Sequence, residues 1–201
     1  MSNFQKDTFY TIVMAFFILT LSITVTIFAS YGIFYFSIGH FNLDQIVYMS
    51  SNRVMHNYNQ MMNYLINPFN GTFKLDDFQS SPAGRLHFAD CKKLFMLNFG
   101  VFILSGIYLW FRRNKRVYFS KVFKYIAITG VVLVALMMID FDGFFVVFHE
   151  ILFRNSDWLF DPGKDPVINI LPEEFFTECF VLFFILFEGL NIWKFKAKKR
   201  S

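Results

Sequence analysis

Four long apolar runs constrain this chain more than any other feature of its sequence. They lie at Phe9–Phe36, Leu94–Phe111, Tyr125–Phe148 and Phe175–Trp193. A helix needs roughly 20 residues to cross a hydrocarbon core of about 30 Å, and these runs are of that order or longer. Helices of a soluble bundle would carry a polar face, and stretches such as VFILSGIYLWF and VVLVALMMI have none. The sequence therefore predicts an all-α polytopic membrane protein with four transmembrane helices.

Composition and organisation agree with this class. Hydrophobic residues make up 55% of the chain and charged residues 17%, whereas an ordinary soluble domain has about 25% charged residues. The first run has no small-residue cleavage site after a short apolar centre, so we interpret it as a retained anchor and not as a cleaved signal peptide. Without internal repeats or low-complexity linkers, residues 1–201 are predicted to form a single integral membrane domain.

Basic residues are distributed unevenly between the segments that join the runs. The loop after the second run carries Arg112, Arg113, Lys115, Arg116, Lys121 and Lys124, and the C-terminal tail carries Lys194, Lys196, Lys198, Lys199 and Arg200. The segments 37–93 and 149–174 are poorer in Lys and Arg for their length. By the positive-inside rule, both termini are predicted to be cytoplasmic and these two segments to face outward. The net charge of +4 reflects this bias, so no nucleic-acid partner is expected.

The larger outer segment, 37–93, shows two local patterns. One is an apolar stripe at helical spacing, formed by Val47, Val54, Tyr58, Met61 and Leu65. The other is Asn70-Gly71 between two short stretches that carry aromatic residues, which is typical of a tight hairpin turn. We therefore predict an extracellular helix and a short β-hairpin between the first and second spans.

Ionisable residues at the outer boundary are informative, because burying them in lipid is costly. His87 and Asp90 share a helical face, so the carboxylate can orient or charge-stabilise the imidazole. His149 lies about 36 Å along a helix from Tyr125, which places it at or just above the outer interface. It is followed by polar and aromatic residues, namely Glu150, Arg154, Asn155, Asp157 and Trp158. Both histidines are therefore expected at the same depth on the outer side.

Two acids lie deeper in the third run. Asp140 and Asp142 are about two helical turns below His149. Carboxylates at that depth favour a water-filled or protein-lined cavity that opens to the outside. We therefore count them among the candidate supporting residues.

Three functional readings of the histidines remain open from the residues alone, beside the reading that they are solvated or capping residues at the interface. His149-Glu150 begins the zinc-protease pattern H-E-x-x-H, but Phe153 stands where the second ligand would be. A metal-dependent membrane hydrolase would therefore need ligands from separate helices. A non-enzymatic pH sensor or lipid-binding protein could use the same histidines. An acid–base enzyme without a metal or other cofactor is the third reading, and no G-x-S-x-G serine hydrolase motif is present.

Two stretches carry a resemblance to a known family. RLHFADCKKLF at 85–95 and FHEILFRNSDWLFDPGKDPVINILPEEFF at 148–176 resemble the lipoprotein intramolecular transacylases (Lit) of Gram-positive bacteria, which are small four-span membrane proteins. The topology, the two outward segments and the total length resemble that family as well. Cys91 stands where the family pattern has an aliphatic residue, and we expect this difference to leave the chemistry unchanged.

The resemblance implies an acyltransferase of the cell membrane with its active site at the outer face. Its substrate would be a lipoprotein whose N-terminal cysteine carries a diacylglyceryl group. The sn-2 acyl chain would pass to the α-amine of that cysteine, which gives a lyso-form lipoprotein. The functional histidines of the family fall on His87 and His149, and Arg154 or backbone N–H groups near residues 154–158 are candidate donors to an oxyanion. Membrane lipids are the other expected partners.

Overall fold

Seven α-helices and one short 3-10 helix form the part of the chain that the computed structural model describes, residues 2–114 and 116–197. Lys115 and the tail residues Lys198, Lys199 and Arg200 lie outside it. The helices are α1 (Asn3–His40), α2 (Leu43–Ile46), α3 (Ser51–Ile66), α4 (Pro82–Arg112), α5 (Ser120–Ile139), α6 (Phe141–Phe153) and α7 (Glu173–Lys196), and the 3-10 helix covers Pro166–Ile170. Within these described residues no β-strand is present.

Four of these helices are long and apolar enough to cross a membrane, namely α1, α4, α5 and α7. This confirms the prediction of an all-helical chain with four candidate spans. Most side chains in their apolar windows are not buried by the protein itself. Lipid is a suitable solvent for such exposed apolar surface, and water is not.

The third predicted span differs from a single helix over residues 125–148. Helix α5 ends at Ile139, Asp140 has an extended backbone with φ −151° and ψ 92°, and α6 begins at Phe141. Aspartate bonds readily to nearby backbone groups outside helices, which weakens helix continuation. Asp142 then lies in the first turn of α6, where the helix dipole favours a negative charge.

The predicted β-hairpin around Asn70-Gly71 is wrong. Residues 67–81 form turns and extended backbone without a strand partner. Their backbone N–H groups bond to side chains of α3, because Asp76 N donates to Gln60 Oε1 at 3.0 Å and Asp77 N donates to Asn57 Oδ1 at 3.2 Å. Side-chain acceptors on a neighbouring helix therefore replace the second strand.

The helix predicted between the first two spans is α3, and its extracellular placement stays a prediction. Ser50 caps it, and its Oγ accepts a hydrogen bond from Arg53 N at 3.4 Å. The apolar stripe is buried at Val54, Tyr58, Met61 and Leu65. This stripe explains how a helix of mixed composition is held in place.

The chain divides into two compact units by its contacts. The first unit comprises residues 1–27, 98–141 and 180–201, and its core cluster contains Tyr10, Met14, Ile18 and Phe123. The second unit comprises residues 28–97 and 142–179. In its core Tyr58 stacks on Phe34 at 3.8 Å between ring centroids and donates to Ser30 Oγ at 2.7 Å. Both candidate histidines belong to this second unit.

Candidate active site

Helices α4 and α6 bring the two predicted histidines side by side. The ring centroids of His87 and His149 are 5.8 Å apart, with 37° between the ring planes. Each residue is 8% exposed. A buried pair of imidazoles at this spacing can act on one small group, because both rings are within reach of the same reacting centre.

The tautomer of His149 follows from its hydrogen bond. Its Nδ1 lies 2.7 Å from the carbonyl oxygen of Phe145, which can only accept a hydrogen bond. Nδ1 therefore carries the proton, and in the neutral ring Nε2 has a free lone pair. Burial lowers the pKa of His149 below its usual 6.5, and the bond to Phe145 opposes that shift only in part. The ring is thus neutral and basic near pH 7.

His87 has a different set of contacts. Its Nε2 lies 3.4 Å from the sulfur of Cys91, one helical turn along α4. A thiol is protonated near neutral pH and is a weak donor, so this contact favours a lone pair on Nε2 and a proton on Nδ1. The buried Nδ1 has no hydrogen-bond partner within the described part of the chain. The side chain of Cys91 thus touches a candidate catalytic ring, and our expectation that it leaves the chemistry unchanged stays a prediction.

Aromatic rings enclose the pair. Phe153 contacts both imidazoles, at 4.8 Å from His87 and 5.6 Å from His149 between ring centroids. Trp158 lies 4.9 Å from His149, and Phe160 lies 5.4 Å from His87. Phe153 occupies the position where H-E-x-x-H would place a second zinc ligand, and here it is a wall of the site. Such a lining excludes water and strengthens the electrostatic interactions inside.

A tight turn follows α6 and carries Trp158 to the site. Arg154 ends the helix with φ 53°, a left-handed conformation common just after a helix. Asn155 Oδ1 then accepts from Asp157 N at 3.2 Å, and Trp158 Nε1 donates to Asn155 O at 2.8 Å. These local bonds fix the indole over His149.

Asp90 connects this turn to α4. Its Oδ2 accepts a hydrogen bond from Asn155 Nδ2 at 3.3 Å, and its Oδ1 pairs with Lys93 at 2.8 Å. The bond from Asn155 thus links α4 to the turn after α6, whereas the sequence predicted that this carboxylate orients or charge-stabilises His87. Its negative charge is still close enough to act on that ring.

Four of the remaining predicted supporting residues have exposed side chains. Glu150 and Arg154 are exposed, as are Asp140 at the α5–α6 break and Asp142 in the first turn of α6. The contacts that enclose the histidines come instead from aromatic side chains. No group of three or more His, Cys, Asp or Glu side chains is arranged to hold a metal ion within residues 2–114 and 116–197.

Sequence reasoning missed four residues of this region: Cys91, Phe153, Phe160 and Asp165. The first three look like ordinary apolar packing residues in a chain that contains 31 Phe. Asp165, within DPGKDP, looks like a turn former. Helical spacing alone could have identified Cys91, because residues i and i+4 are neighbours on a helix.

Comparisons with known proteins find one family. The sequence model of "Lipoprotein intramolecular transacylase Lit" matches residues 8–176. A structure of the membrane integral lipoprotein intramolecular transacylase Lit from Bacillus cereus is similar at a TM-score of 0.71 and 31% identity, over 92% of this chain and 89% of that one. A variant of the same protein with one histidine replaced by arginine gives a TM-score of 0.66 and 29% identity, over 95% and 89% of the two chains. The search of curated proteins gave no match.

Proposed function

This chain belongs to the lipoprotein intramolecular transacylase family, and we propose that it moves the sn-2 acyl chain of a diacylglyceryl-modified N-terminal cysteine to the α-amine of that cysteine. The product would be a lyso-form lipoprotein with an N-acyl and an S-monoacylglyceryl group. The observation that carries this proposal is the pair of buried imidazoles 5.8 Å apart in an aromatic enclosure.

The reaction balances without any co-reactant. The amine nitrogen attacks the ester carbonyl carbon, the C–N bond forms, and the bond from that carbon to the sn-2 oxygen breaks. One proton leaves the nitrogen and one proton arrives on the glycerol oxygen. Both reacting groups belong to one molecule, so holding them together supplies much of the rate, because effective molarities of oriented groups are large.

We assign the proton transfer to His149. Its Nδ1–H is engaged by the Phe145 carbonyl, which leaves the Nε2 lone pair to accept the proton of the attacking amine. The free α-amine has a pKa near 7.7–8.0, so a neutral imidazole is a suitable partner for it. The protonated ring then delivers the same proton to the departing glycerol oxygen.

We assign stabilisation of the oxyanion to His87. The Cys91 contact at Nε2 favours a proton on Nδ1, and that buried atom lacks a partner within the protein residues described. A preorganised N–H donor that has no partner in the free enzyme is suited to stabilise the negative charge that develops on the carbonyl oxygen of the ester. Trp158 and Phe153 exclude water from that centre.

We place the site at the outer face of the cell membrane, with both termini in the cytoplasm. The bias of Lys and Arg toward the 112–124 loop and the C-terminal tail supports this orientation. Both histidines flank apolar spans, at the depth where a diacylglyceryl ester would lie. The substrate and the surrounding membrane lipids are the partners that this proposal requires.

Mass spectrometry of lipoprotein N-terminal peptides tests the proposal. The cells would lack other N-acylation activity and would express wild type, His87→Ala, His149→Ala or the control His56→Ala. His56 is an exposed histidine of α3 that pairs with Asp76 at 2.9 Å. We expect wild type and His56→Ala to place one acyl chain on the cysteine nitrogen at unchanged total mass. The other two variants should insert in the membrane and form no such product.

Three results would contradict the proposal or part of it. An unaltered diacylglyceryl group in wild-type cells would favour a sensor or lipid-binding role for the same histidines. Product that disappears when wild-type protein is treated with a chelator, and returns with added zinc, would favour a metal-dependent reaction. Full activity of either histidine variant would remove that ring from the mechanism.

A further inference from the structure

A buried aspartate of the second outer segment lies against the start of the helix that carries His87. Asp165 is 3% exposed, and its Oδ1 accepts a hydrogen bond from the backbone N–H of Ser81 at 2.7 Å. Ser81 directly precedes α4, whose first backbone N–H groups have no partner within the helix. A negative charge at this end is also favoured by the helix dipole. The carboxylate therefore acts as a cap supplied by a distant part of the chain.

Gly84 makes room for this cap. A Cβ atom at residue 84 would lie 2.2 Å from Asp165 Oδ1 and 2.8 Å from its carboxyl carbon, which no side chain tolerates. The Gly84 backbone N–H donates to Ser81 Oγ at 2.9 Å, so the same turn is also capped locally. Glycine at this position is explained by the carboxylate seated on it.

The rest of the loop contacts both α4 and the segment just before it. Gln79 Nε2 donates to the carbonyl oxygen of Gly163 at 3.1 Å. The ring of Phe160 lies 5.4 Å from His87 and 5.6 Å from Phe88. Phe160, at one end of the loop, thus touches the imidazole of His87. Asp165, at the other end, holds the start of α4, the helix that carries this histidine.

We propose that Asp165 is a positioning residue for the acyl transfer, which fixes the start of α4 and thereby the place of His87. The inference rests on the proposed function, since it concerns the same site. Ser81 and His87 are six residues apart, about 9 Å along a helix, so a shift of the first turn is transmitted to the ring. Asp165 itself does not touch the reacting atoms.

The first test compares Asp165→Ala with Asp165→Asn, using a synthetic diacylglyceryl lipopeptide at varied mole fraction in detergent micelles. Asparagine keeps an oxygen that accepts from Ser81 N, and alanine does not. We expect Asp165→Ala to lower kcat by about tenfold to a hundredfold with little change in KM, because small misplacements of catalytic groups have effects of that order. Asp165→Asn should stay within about threefold of wild type.

Chemical labelling of the histidines separates positioning from general destabilisation. Diethyl pyrocarbonate modifies accessible imidazoles, and peptide mass spectrometry gives a rate for each one. In folded Asp165→Ala, the labelling rate of His87 should rise at least twofold relative to the exposed His56. The control Asp161→Ala, in the same loop but exposed, should leave both kcat and the His87 rate unchanged.

Gly84→Ala provides a second route if Asp165→Ala does not fold. This variant keeps the carboxylate but displaces it, so it should reproduce the loss of kcat and the faster labelling of His87. Adding Asp165→Ala to Gly84→Ala should lower kcat no further. The carboxylate that clashes with the new Cβ is the same group that caps α4, and Gly84→Ala has already displaced it. A wild-type kcat for either single variant, or an unchanged His87 rate, overturns the positioning role. Activity of His87→Ala in the same assay would instead overturn the proposed function.

Discussion

At the scale of single residues, enclosure by aromatic rings controls the protonation of the proposed base. Burial lowers the pKa of His149 below 6.5, so this imidazole stays neutral to a lower pH than a solvated histidine. In the pH window just below 6.5 the unfolded chain binds this proton and the folded chain does not. Stability therefore decreases as pH falls through that window, and the same burial that prepares the base opposes folding in acid.

This gives a prediction for the pH dependence of the rate. The substrate amine titrates near 7.7–8.0, and because transfer also requires neutral His149, kcat should show a second, steeper fall with a midpoint below 6.5. Trp158→Ala opens the enclosure and should move that midpoint upward, toward 6.5. The profile would be measured with lipopeptide in micelles from pH 4.5 to 8, over the range where the protein stays folded. A fall of kcat that the titration of the amine alone explains, with no second step below pH 6.5, would contradict His149 as the base.

Cys91 allows a test of the His87 tautomer. Cys91→Val removes the thiol donor 3.4 Å from Nε2 but keeps an apolar side chain of similar size. A thiol is a weak donor, so we expect kcat to fall only by about threefold. Cys179→Val, which changes the other free cysteine, serves as the matched control and should have no effect on kcat. A loss as large as that of His87→Ala would show that the thiol does more than orient the ring.

At the scale of elements, α3 acts as a frame for the irregular segment 67–81. Asn57 is fully buried; its Nδ2 donates to Asp77 Oδ2 at 2.6 Å and its Oδ1 accepts from Asp77 N at 3.2 Å. Arg53 also pairs with Asp77 and holds the pKa of that carboxyl below its usual value, so the contact persists at neutral pH. Lys92 of α4 donates to the carbonyl oxygens of Asn67 and Asn70.

Asn57→Ala should therefore loosen this segment. Loss of a buried side chain that satisfies backbone and carboxylate partners costs roughly 1–3 kcal/mol. We expect faster proteolytic cleavage within residues 67–81 in Asn57→Ala than in wild type, followed by mass spectrometry of the fragments. Asn59→Ala changes an exposed asparagine of the same helix and should not alter the cleavage rate. Equal cleavage rates for Asn57→Ala and Asn59→Ala would show that the contacts of Asn57 are not needed to hold residues 67–81 in place.

At the scale of the whole molecule, the proposed orientation can be tested by labelling in intact cells. Cysteine would be introduced as Lys74→Cys in the outer segment or as Asn114→Cys in the basic loop, with Cys91 and Cys179 replaced by alanine. A membrane-impermeant maleimide should label the first without lysis and the second only after permeabilisation. The reverse pattern would place both histidines on the cytoplasmic side.

The class of the protein and the identity of its central residues were predictable from the sequence. Apolar runs of membrane length are a local property of the chain, since a helix in lipid satisfies its own backbone hydrogen bonds. His87 and His149 could be selected because each is an ionisable residue beside an apolar span. The apolar stripe of α3 was also predictable, because helical periodicity depends only on neighbouring residues along the chain.

One prediction failed because distant residues compete with a local pattern, and another because a single residue interrupts an apolar run. Asn70-Gly71 is typical of a hairpin turn, but the backbone of this segment bonds to Gln60 and Asn57 on α3. Asp140 interrupts a run that hydropathy alone presents as one span.

The sequence by itself determined four candidate spans, the segments that join them and the choice of two candidate histidines. Only the tertiary structure decided what surrounds those histidines: Phe153 and Trp158 as walls, Cys91 on one ring nitrogen, and Asp165 at the start of α4. The physical reason is that spans follow from transfer of neighbouring residues into lipid, whereas a site is built from side chains far apart in the chain. Their proximity depends on how the helices pack, and no local pattern records it.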